Sequence, residues 1–267
     1  MKKILVYCCL AFTIGSVAAQ TRPALPAPKH SLIVIAHRGN HVAVPENSIA
    51  AIEQAIACGA DYVEMDVRTT ADGKLVLMHD ATVNRTTNGE GNVASLTFNE
   101  VRALQLKATD GKTYKVPTLE EALAACKDKI HIYLDFKVAD VANTYALIKA
   151  AGMENQVVVY MNAKEQYKPW QSVAPQMPLM TSLPSEVTDA QTLRYALNKY
   201  RISAFDNITD SAMLSVTREQ QVQVWLDAQH KGEGPATWQA AIQKGIQGLQ
   251  TDQPAALIAY LVKNNLR

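Results

Sequence analysis

The 267-residue chain has almost no net charge of either sign, with 26 Lys and Arg against 25 Asp and Glu. That balance argues against a partner held by bulk charge, such as nucleic acid or an anionic membrane surface. Cysteine is scarce. Of the four, Cys8 and Cys9 lie in the first apolar run, which leaves Cys58 and Cys126. Two cysteines do not make a disulfide framework; both fall on apolar helical stripes and read as buried free thiols. No apolar run reaches the ~20 residues that a membrane span needs. There is no low-complexity tract, and no glycine-rich nucleotide fingerprint follows the first strand, which disfavours a doubly wound dinucleotide fold.

What is present begins with an export pattern. MKK is a short basic region, ILVYCCLAFTIGSVAA is apolar, and small residues up to Ala19 suit cleavage before Gln20. Residues 1–19 are therefore expected to be a signal peptide of an exported bacterial protein, periplasmic or secreted, with no integral membrane segment after cleavage. Cys8 and Cys9 sit too early for lipid attachment. Residues 20–30, with three prolines, read as a linker, and 31–267 as a single domain.

Short Val-, Ile- and Leu-rich runs alternate with helical patterns along this domain. Strand candidates are LIVIA (32–36), YVEMDV (62–67), KLVLMH (74–79), IHIYLDF (130–136), QVVVYM (156–161), PLMTSL (178–183), ISAFDNI (202–208), VQVWLDA (222–228) and IQGLQT (246–251). Several are apolar on both faces, as covered parallel strands are. Helix starts are marked by capping boxes at Thr97/Glu100 and Thr118/Glu121, and by Pro235 and Pro254 in first turns. The pattern predicts an α/β fold, a (β/α)8 TIM barrel. Nine candidates compete for eight slots. Only TTADGK separates the second from the third, too short for a crossover helix, so those two are expected to form a hairpin or lack a helix. Residues 80–115 read as a small insertion after the third strand.

The strand ends are unusually polar, and a barrel carries its chemistry there. His37-Arg38 ends the first, Glu64-x-Asp66 lies on the second, His79-Asp80 ends the third and Asp135-x-Lys137 the fourth. Glu64 and Asp66, two apart, share a face and repel. A divalent cation with a third oxygen from Asp135 relieves that repulsion, and hard oxygens suit Mg²⁺ or Ca²⁺. An ion-pair network with Arg38, Lys137 or Arg68 relieves it equally well, and spacing does not choose between them. Two histidines beside carboxylates can exchange protons near neutrality. Asp80 follows His79 directly, points the other way on a strand and is not expected to orient it. Arg38 offers a fork and Lys137 a point charge for an anion. Together these groups suit phosphoryl chemistry.

These motifs also resemble a family. HRG at 37–39 with PENS at 45–48, ExD at 64–66, HD at 79–80 with NRTTNG at 84–89, LDFK at 134–137, VWLDA at 224–228 and GLQTDxP at 248–254 are together similar to the glycerophosphodiester phosphodiesterases. The resemblance covers roughly residues 32–254. It implies His37 and His79 as general acid and base, Glu64, Asp66 and Asp135 as ligands of one divalent cation, and Arg38 on phosphate. Asp135 stands where that family has glutamate, and Ser48 where threonine is usual. Lys137 is a further candidate for the phosphate. Trp225, which ends an inward-facing alternation on a late strand, is a candidate for a wall of the alcohol pocket, with core packing as the alternative.

The expected function is metal-dependent hydrolysis of glycerophosphodiesters to sn-glycerol 3-phosphate and an alcohol, with glycerophosphoinositol or a lysophospholipid as alternative substrates. A barrel glycosidase would use the acidic pair but has no need of two histidines, Arg38 and Lys137. A non-catalytic barrel would not be expected to keep the complete set.

Overall fold

The computed structural model describes residues 22–267; the signal-peptide expectation lies outside them. In chain order the elements open with β1 Ile33–Ala36, α1 Ile49–Cys58, β2 Tyr62–Thr69, β3 Leu75–Leu77, α2 Phe98–Ala103, β4 Gln105–Leu106, β5 Tyr114–Lys115 and α3 Leu119–Cys126. They continue with β6 His131–Val138, α4 Val141–Ala150, β7 Val157–Met161, α5 Tyr167–Val173, β8 Leu179–Thr181 and α6 Ala190–Lys199. The last are β9 Ile202–Asp206, α7 Ser211–Glu219, β10 Gln223–Asp227, α8 Pro235–Ile242, β11 Gly248–Thr251 and α9 Pro254–Lys263.

The strand order β1-β11-β10-β9-β8-β7-β6-β2 closes through a β1–β2 pairing, Ile35 with Tyr62 and Ala36 with Val63. All these pairings are parallel, so the molecule is a closed eight-stranded barrel ringed by helices. The ninth strand candidate is β3. It pairs antiparallel with the far half of β2, Val67 opposite Leu77 and Thr69 opposite Leu75. β2 is long enough to do both jobs: its first half closes the barrel, and its second half runs past the rim as one arm of a hairpin. The turn is tied by Thr70 and Lys74, with Gly73 at φ +81. β3 is thus not a barrel strand, and no helix separates it from β2.

The apolar alternation fixes which side chains enter the barrel. Ile33, Ile35, Tyr62, Tyr133, Val158, Met180, Ala204 and Trp225 form one buried cluster. Because side chains on a strand alternate faces, positions two or four further along these strands also point inward. These are His37, Glu64, Asp66, Asp135, Tyr160, Ser182, Asp206 and Asp227, so the apolar floor gives way to a polar mouth. The outward set, including Val34, Val63, Leu134 and Val159, packs under the helices.

Helix starts follow the sequence signals. Ser48 caps α1 by accepting from Ala51 N, and both expected capping boxes are formed. Pro235 and Pro254 occupy first turns. Cys58 and Cys126 are free thiols, Cys126 buried. Residues 80–115 carry α2, β4 and β5 over their own small core, in which Val83, Val101 and Leu106 meet Val76 and Met78.

The proline-rich stretch is more than a tether. The Pro26 and Ala27 carbonyls accept from Tyr62 Oη (2.6 Å) and His131 Nε2 (2.8 Å). Ser203 Oγ donates to Pro23 O at 2.8 Å. All three donors lie at strand starts, so residues 23–27 cross the barrel floor, where Leu25 packs against the interior cluster.

Candidate active site

β1 delivers His37 inward one residue after the strand ends, and the chain then turns sharply. Arg38 has φ +51 and Gly39 φ +82. Side chains rarely adopt this left-handed region, and two contacts hold Arg38 there. Its backbone N–H donates to Glu64 Oε2 at 2.7 Å, and its carbonyl accepts from Asn47 N at 3.0 Å. At Gly39 a Cβ would stand 2.7 Å from the backbone carbon of Ala51, so only glycine lets β1 pass this close to α1.

His37 Nδ1 donates to Asp252 Oδ1 at 2.7 Å. This bond fixes the ring and leaves Nε2 as the nitrogen for proton exchange. Hydrogen bonding to His37 in turn holds the Asp252 carboxyl below its ordinary range. The Asp252 backbone N–H is itself bound by Glu233, which also accepts from Trp238 Nε1 and from the Thr251 hydroxyl.

His79 arrives differently. It follows β3, the returning arm of the hairpin, and Arg68 of β2 donates twice to its backbone carbonyl, at 3.0 and 2.6 Å. Its Nδ1 donates to Asp80 Oδ1 at 2.7 Å. The expectation that Asp80 would not orient His79 is therefore corrected. Strand alternation does not apply, because residues 79 and 80 lie in a bend beyond the end of β3. Asp80 is fixed by Arg85, at 2.8 and 2.9 Å, and these contacts hold its carboxyl well below its ordinary range. Arg85 also grips Glu46, which bonds Arg38 Nη1 at 2.9 Å. A continuous arc of ion pairs therefore runs from Arg38, beside one histidine, to Asp80 on the other. Burial works against a charged Glu46, but the two guanidiniums outweigh it and its pKa is lowered.

Glu64 and Asp66 lie on β2, the strand that pairs with both β1 and β3, and Asp135 lies on β6 along its other edge. Each offers a carboxylate oxygen, and the three oxygens lie within 4.8 Å of one another. Glu64 is 2% exposed and Asp66 1%. Burial and the neighbouring carboxylates push the Glu64 and Asp135 pKa values up. Asn47, at φ +53, frames Asp66 by donating to Oδ2 at 2.7 Å and accepting from its backbone N–H at 3.1 Å. Asp66 Oδ1 is buried without a hydrogen bond. Three converging hard oxygens, with two carboxyls held high by burial and by neighbouring carboxylates, are a fitting cradle for a divalent cation.

Lys137 and Arg38 sit against this cluster. Lys137 Nζ lies 2.6 Å from Asp135 and 3.2 Å from Asp66. Burial alone would lower its pKa, but the carboxylates prevail and raise it. Arg38 Nε lies 3.6 Å from Asp66. Both cations thus face the carboxylates, so the ion-pair network and the cation cradle are built from the same residues. Asn162 donates to Asp135 Oδ1 at 2.6 Å. His41 stands at the rim, its ring 6.1 Å from that of His37.

Trp225 is a correction. It is 1% exposed, packs against Tyr62 and Tyr133, and uses its indole N–H on Gln223 at 2.8 Å. Gly248 gives it room, since a Cβ there would stand 2.7 Å from the indole. Trp225 fills the barrel below the mouth and does not wall a pocket. The sequence reading passed over Asp252, Asn47 and Arg85 as functional residues; Asp252 alone left a signal, as the third inward position of the Gly248, Gln250, Asp252 alternation.

Residues 37–256 match the glycerophosphoryl diester phosphodiesterase family. Among individual proteins, the chain is 42% identical over 132 residues to glycerophosphodiester phosphodiesterase 1 of Bos taurus, covering 47% of this chain and 40% of that protein. It is 47% identical over 100 residues to a glycerophosphodiester phosphodiesterase of Caldanaerobacter subterraneus, covering 36% and 41%. The matches thus span about two fifths of the length of these relatives. The crystal structure of glycerophosphodiester phosphodiesterase from Agrobacterium tumefaciens superposes with a TM-score of 0.76 at 26% identity, covering 85% of this chain and 99% of that one. A phosphodiesterase of Oleispira antarctica, solved with the product sn-glycerol-3-phosphate, shares the fold with a TM-score of 0.73 at 20% identity, covering 86% and 96%.

Proposed function

The chain belongs to the glycerophosphoryl diester phosphodiesterase family, and from that premise we propose that it hydrolyses glycerophosphodiesters to sn-glycerol 3-phosphate and an alcohol by two-histidine acid/base catalysis. The observation that carries this reading is the paired arrangement of the imidazoles. Each has Nδ1 tied to an aspartate, His37 to Asp252 and His79 to Asp80, and β2, which carries Glu64 and Asp66, pairs with both strands that lead to them.

Glu64, Asp66 and Asp135 would hold one Mg²⁺ or Ca²⁺, which would supply positive charge against the anionic substrate. Arg38 and Lys137, both at the edge of the cluster, bind the remaining phosphate oxygens. One histidine takes the proton of the 2-hydroxyl through Nε2, and the oxygen attacks phosphorus. The P–O bond to the alcohol breaks, and the other histidine protonates that oxygen as it leaves. A cyclic phosphate results. Water then opens it with the two histidines in exchanged roles, breaking the bond to the 2-oxygen. Such proton transfers contribute about 10²–10⁴-fold each.

The test is release of glycerol 3-phosphate from a panel of diesters, including glycerophosphoinositol and a lysophospholipid, with each metal. His37→Ala and His79→Ala are expected to lose about 10²–10⁴-fold in kcat while remaining folded. Near wild-type turnover in either folded variant refutes the assignment. We also propose, from the composition of residues 1–19, that the protein acts outside the cytoplasm. A mature N-terminus near Gln20, read by mass spectrometry on exported protein, tests this; retention of residues 1–19 refutes it.

A further inference from the structure

Across the mouth from the histidines lies a second group of polar residues that the reaction above does not use. Asp206 ends β9 and Asp227 ends β10, both on inward positions, with Trp225 paired to Asp206 so that Asp227 stands one pleat higher. Asp206 is 8% exposed. Its Oδ2 accepts from Tyr160 Oη at 3.0 Å and from Ser182 Oγ at 2.9 Å, and those two hydroxyls are 2.6 Å apart. Tyr160 is the cross-strand neighbour of Asp135, which joins this group to the carboxylate cluster. Asp227 accepts from Asn207 Nδ2 at 2.8 Å and is exposed at the rim.

Two features set this group apart. First, among the described residues neither aspartate forms an ion pair, whereas Glu46, Asp66, Asp80 and Asp135 each face a guanidinium or ammonium and Glu64 accepts from the Arg38 N–H. Burial and the charge of Asp227 accordingly push the Asp206 carboxyl upward. Second, two buried acceptors here lack donors: Asp206 Oδ1 and Oε1 of Gln250, the residue paired with Asp227 on β11. A buried acceptor without a donor is costly, and a buried carboxylate without a counter-charge more so. The site is therefore short of N–H donors and of positive charge together. A ligand carrying both relieves both.

We propose that Asp206 and Asp227, with Tyr160, Ser182 and Gln250 beside them, bind a leaving alcohol that carries a primary ammonium group, that is, an aminoalcohol esterified to the phosphate. The proposal rests on the phosphodiesterase reading, with which it shares the mouth. The phosphate sits over the carboxylate cluster, and the alcohol extends past Tyr160 toward β9 and β10. There Asp206 and Asp227 take the ammonium, while the hydroxyls of Tyr160 and Ser182 hold the carboxylate in place.

The experiment compares glycerophosphoethanolamine with glycerophosphoglycerol, whose leaving alcohol is a neutral polyol, on the metal-loaded enzyme. The expected kcat/KM favours the ammonium substrate by about tenfold or more, since hydrogen bonds to charged groups are the strong ones. In Asp206→Asn that ratio is expected to fall toward one. Asp227→Asn, exposed at the rim, provides a second variant where Asp206→Asn fails to fold. A wild-type preference for the polyol, equal use of both, or a ratio that survives both substitutions overturns the proposal. Calorimetric binding of phosphoethanolamine against ethyl phosphate separates this failure from that of the reaction itself. If no diester is cleaved yet phosphoethanolamine binds about tenfold tighter, the subsite stands and the reaction assignment falls. Equal binding of the two sinks the subsite alone.

Discussion

His37 Nδ1 and Asp252 Oδ1 lie 2.7 Å apart, although 215 positions separate them in the chain. The contact joins the first and last strands of the barrel across the β1–β11 seam, where His37 N also bonds Thr251 O at 3.0 Å. An aspartate in this place fixes the tautomer of its histidine and steadies the imidazolium once it has taken a proton. Asp252→Asn keeps the shape and removes the charge. The expected result is a kcat lower by about 10²–10⁴-fold with a smaller change in KM and at most a small drop in Tm. An unchanged kcat would show that the contact orders the seam and nothing else. Asp80→Asn is the matching substitution at His79, and its effect includes release of one of the anchors of Arg85.

Removing the cation tests the carboxylate cluster without reference to turnover. A ligand at 100 times its Kd stabilises the folded state by about 2.7 kcal/mol. Saturating Mg²⁺ or Ca²⁺ is therefore expected to raise the Tm of the chelated protein by several degrees and to restore activity. Glu64→Gln and Asp66→Asn are expected to lose both responses. A metal-dependent Tm shift of wild-type size in these variants would place the ion elsewhere.

The same cluster sets a pH dependence of definite sign. Glu64 and Asp135 have raised pKa values, caused first by burial and then by neighbouring carboxylates. A carboxyl raised on folding binds its proton more tightly folded than unfolded. Its contribution is full below the ordinary carboxylate pKa, near 4, and is lost as pH rises through the raised value. Asp80, Asp252 and Glu46 are lowered and act in the opposite sense, so the informative quantity is a difference. Metal-free Glu64→Gln is expected to gain stability over metal-free wild type as pH rises from about 4 toward neutrality. With saturating metal the order reverses. A difference that stays flat with pH would mean that Glu64 is not held high.

Much of this site is legible in the sequence because strand alternation is a strict rule. Glu64 and Asp66 share a face by spacing alone, and an apolar strand that runs into His37 announces the mouth. The limits have the same origin. Alternation does not reach His79-Asp80, because β3 ends at Leu77 and the bend turns Asp80 back onto its histidine. His79 reaches the mouth on a returning hairpin arm, and the short TTADGK link leaves that arm open between a hairpin and a barrel strand without its helix. Trp225 lies on an inward position as read, but its depth depends on barrel stagger and on the space left by Gly248. Asp252 and Asn47 matter through partners 215 and 19 residues away, and one sequence carries no record of such pairings.

Gly39 offers a test of how the fold carries the site. Its φ of +82 and the 2.7 Å approach that a Cβ would make to the carbon of Ala51 leave no room for alanine. The neighbour is α1 backbone, already bound through Ala51 O to Asn40 N at 2.9 Å, so it cannot yield as a side chain would. Left-handed backbone costs a non-glycine residue about 1–2 kcal/mol, and overpacking adds about 1–3 kcal/mol. Gly39→Ala is therefore expected to destabilise by about 2–5 kcal/mol in chemical denaturation. The strain acts on the peptide after Arg38, whose N–H holds Glu64 at 2.7 Å and whose carbonyl holds Asn47. Activity measured well below the Tm is accordingly expected to fall as well, with weaker metal binding. A variant that loses stability but keeps wild-type kcat and metal affinity would show that the turn shapes the barrel without positioning the carboxylates.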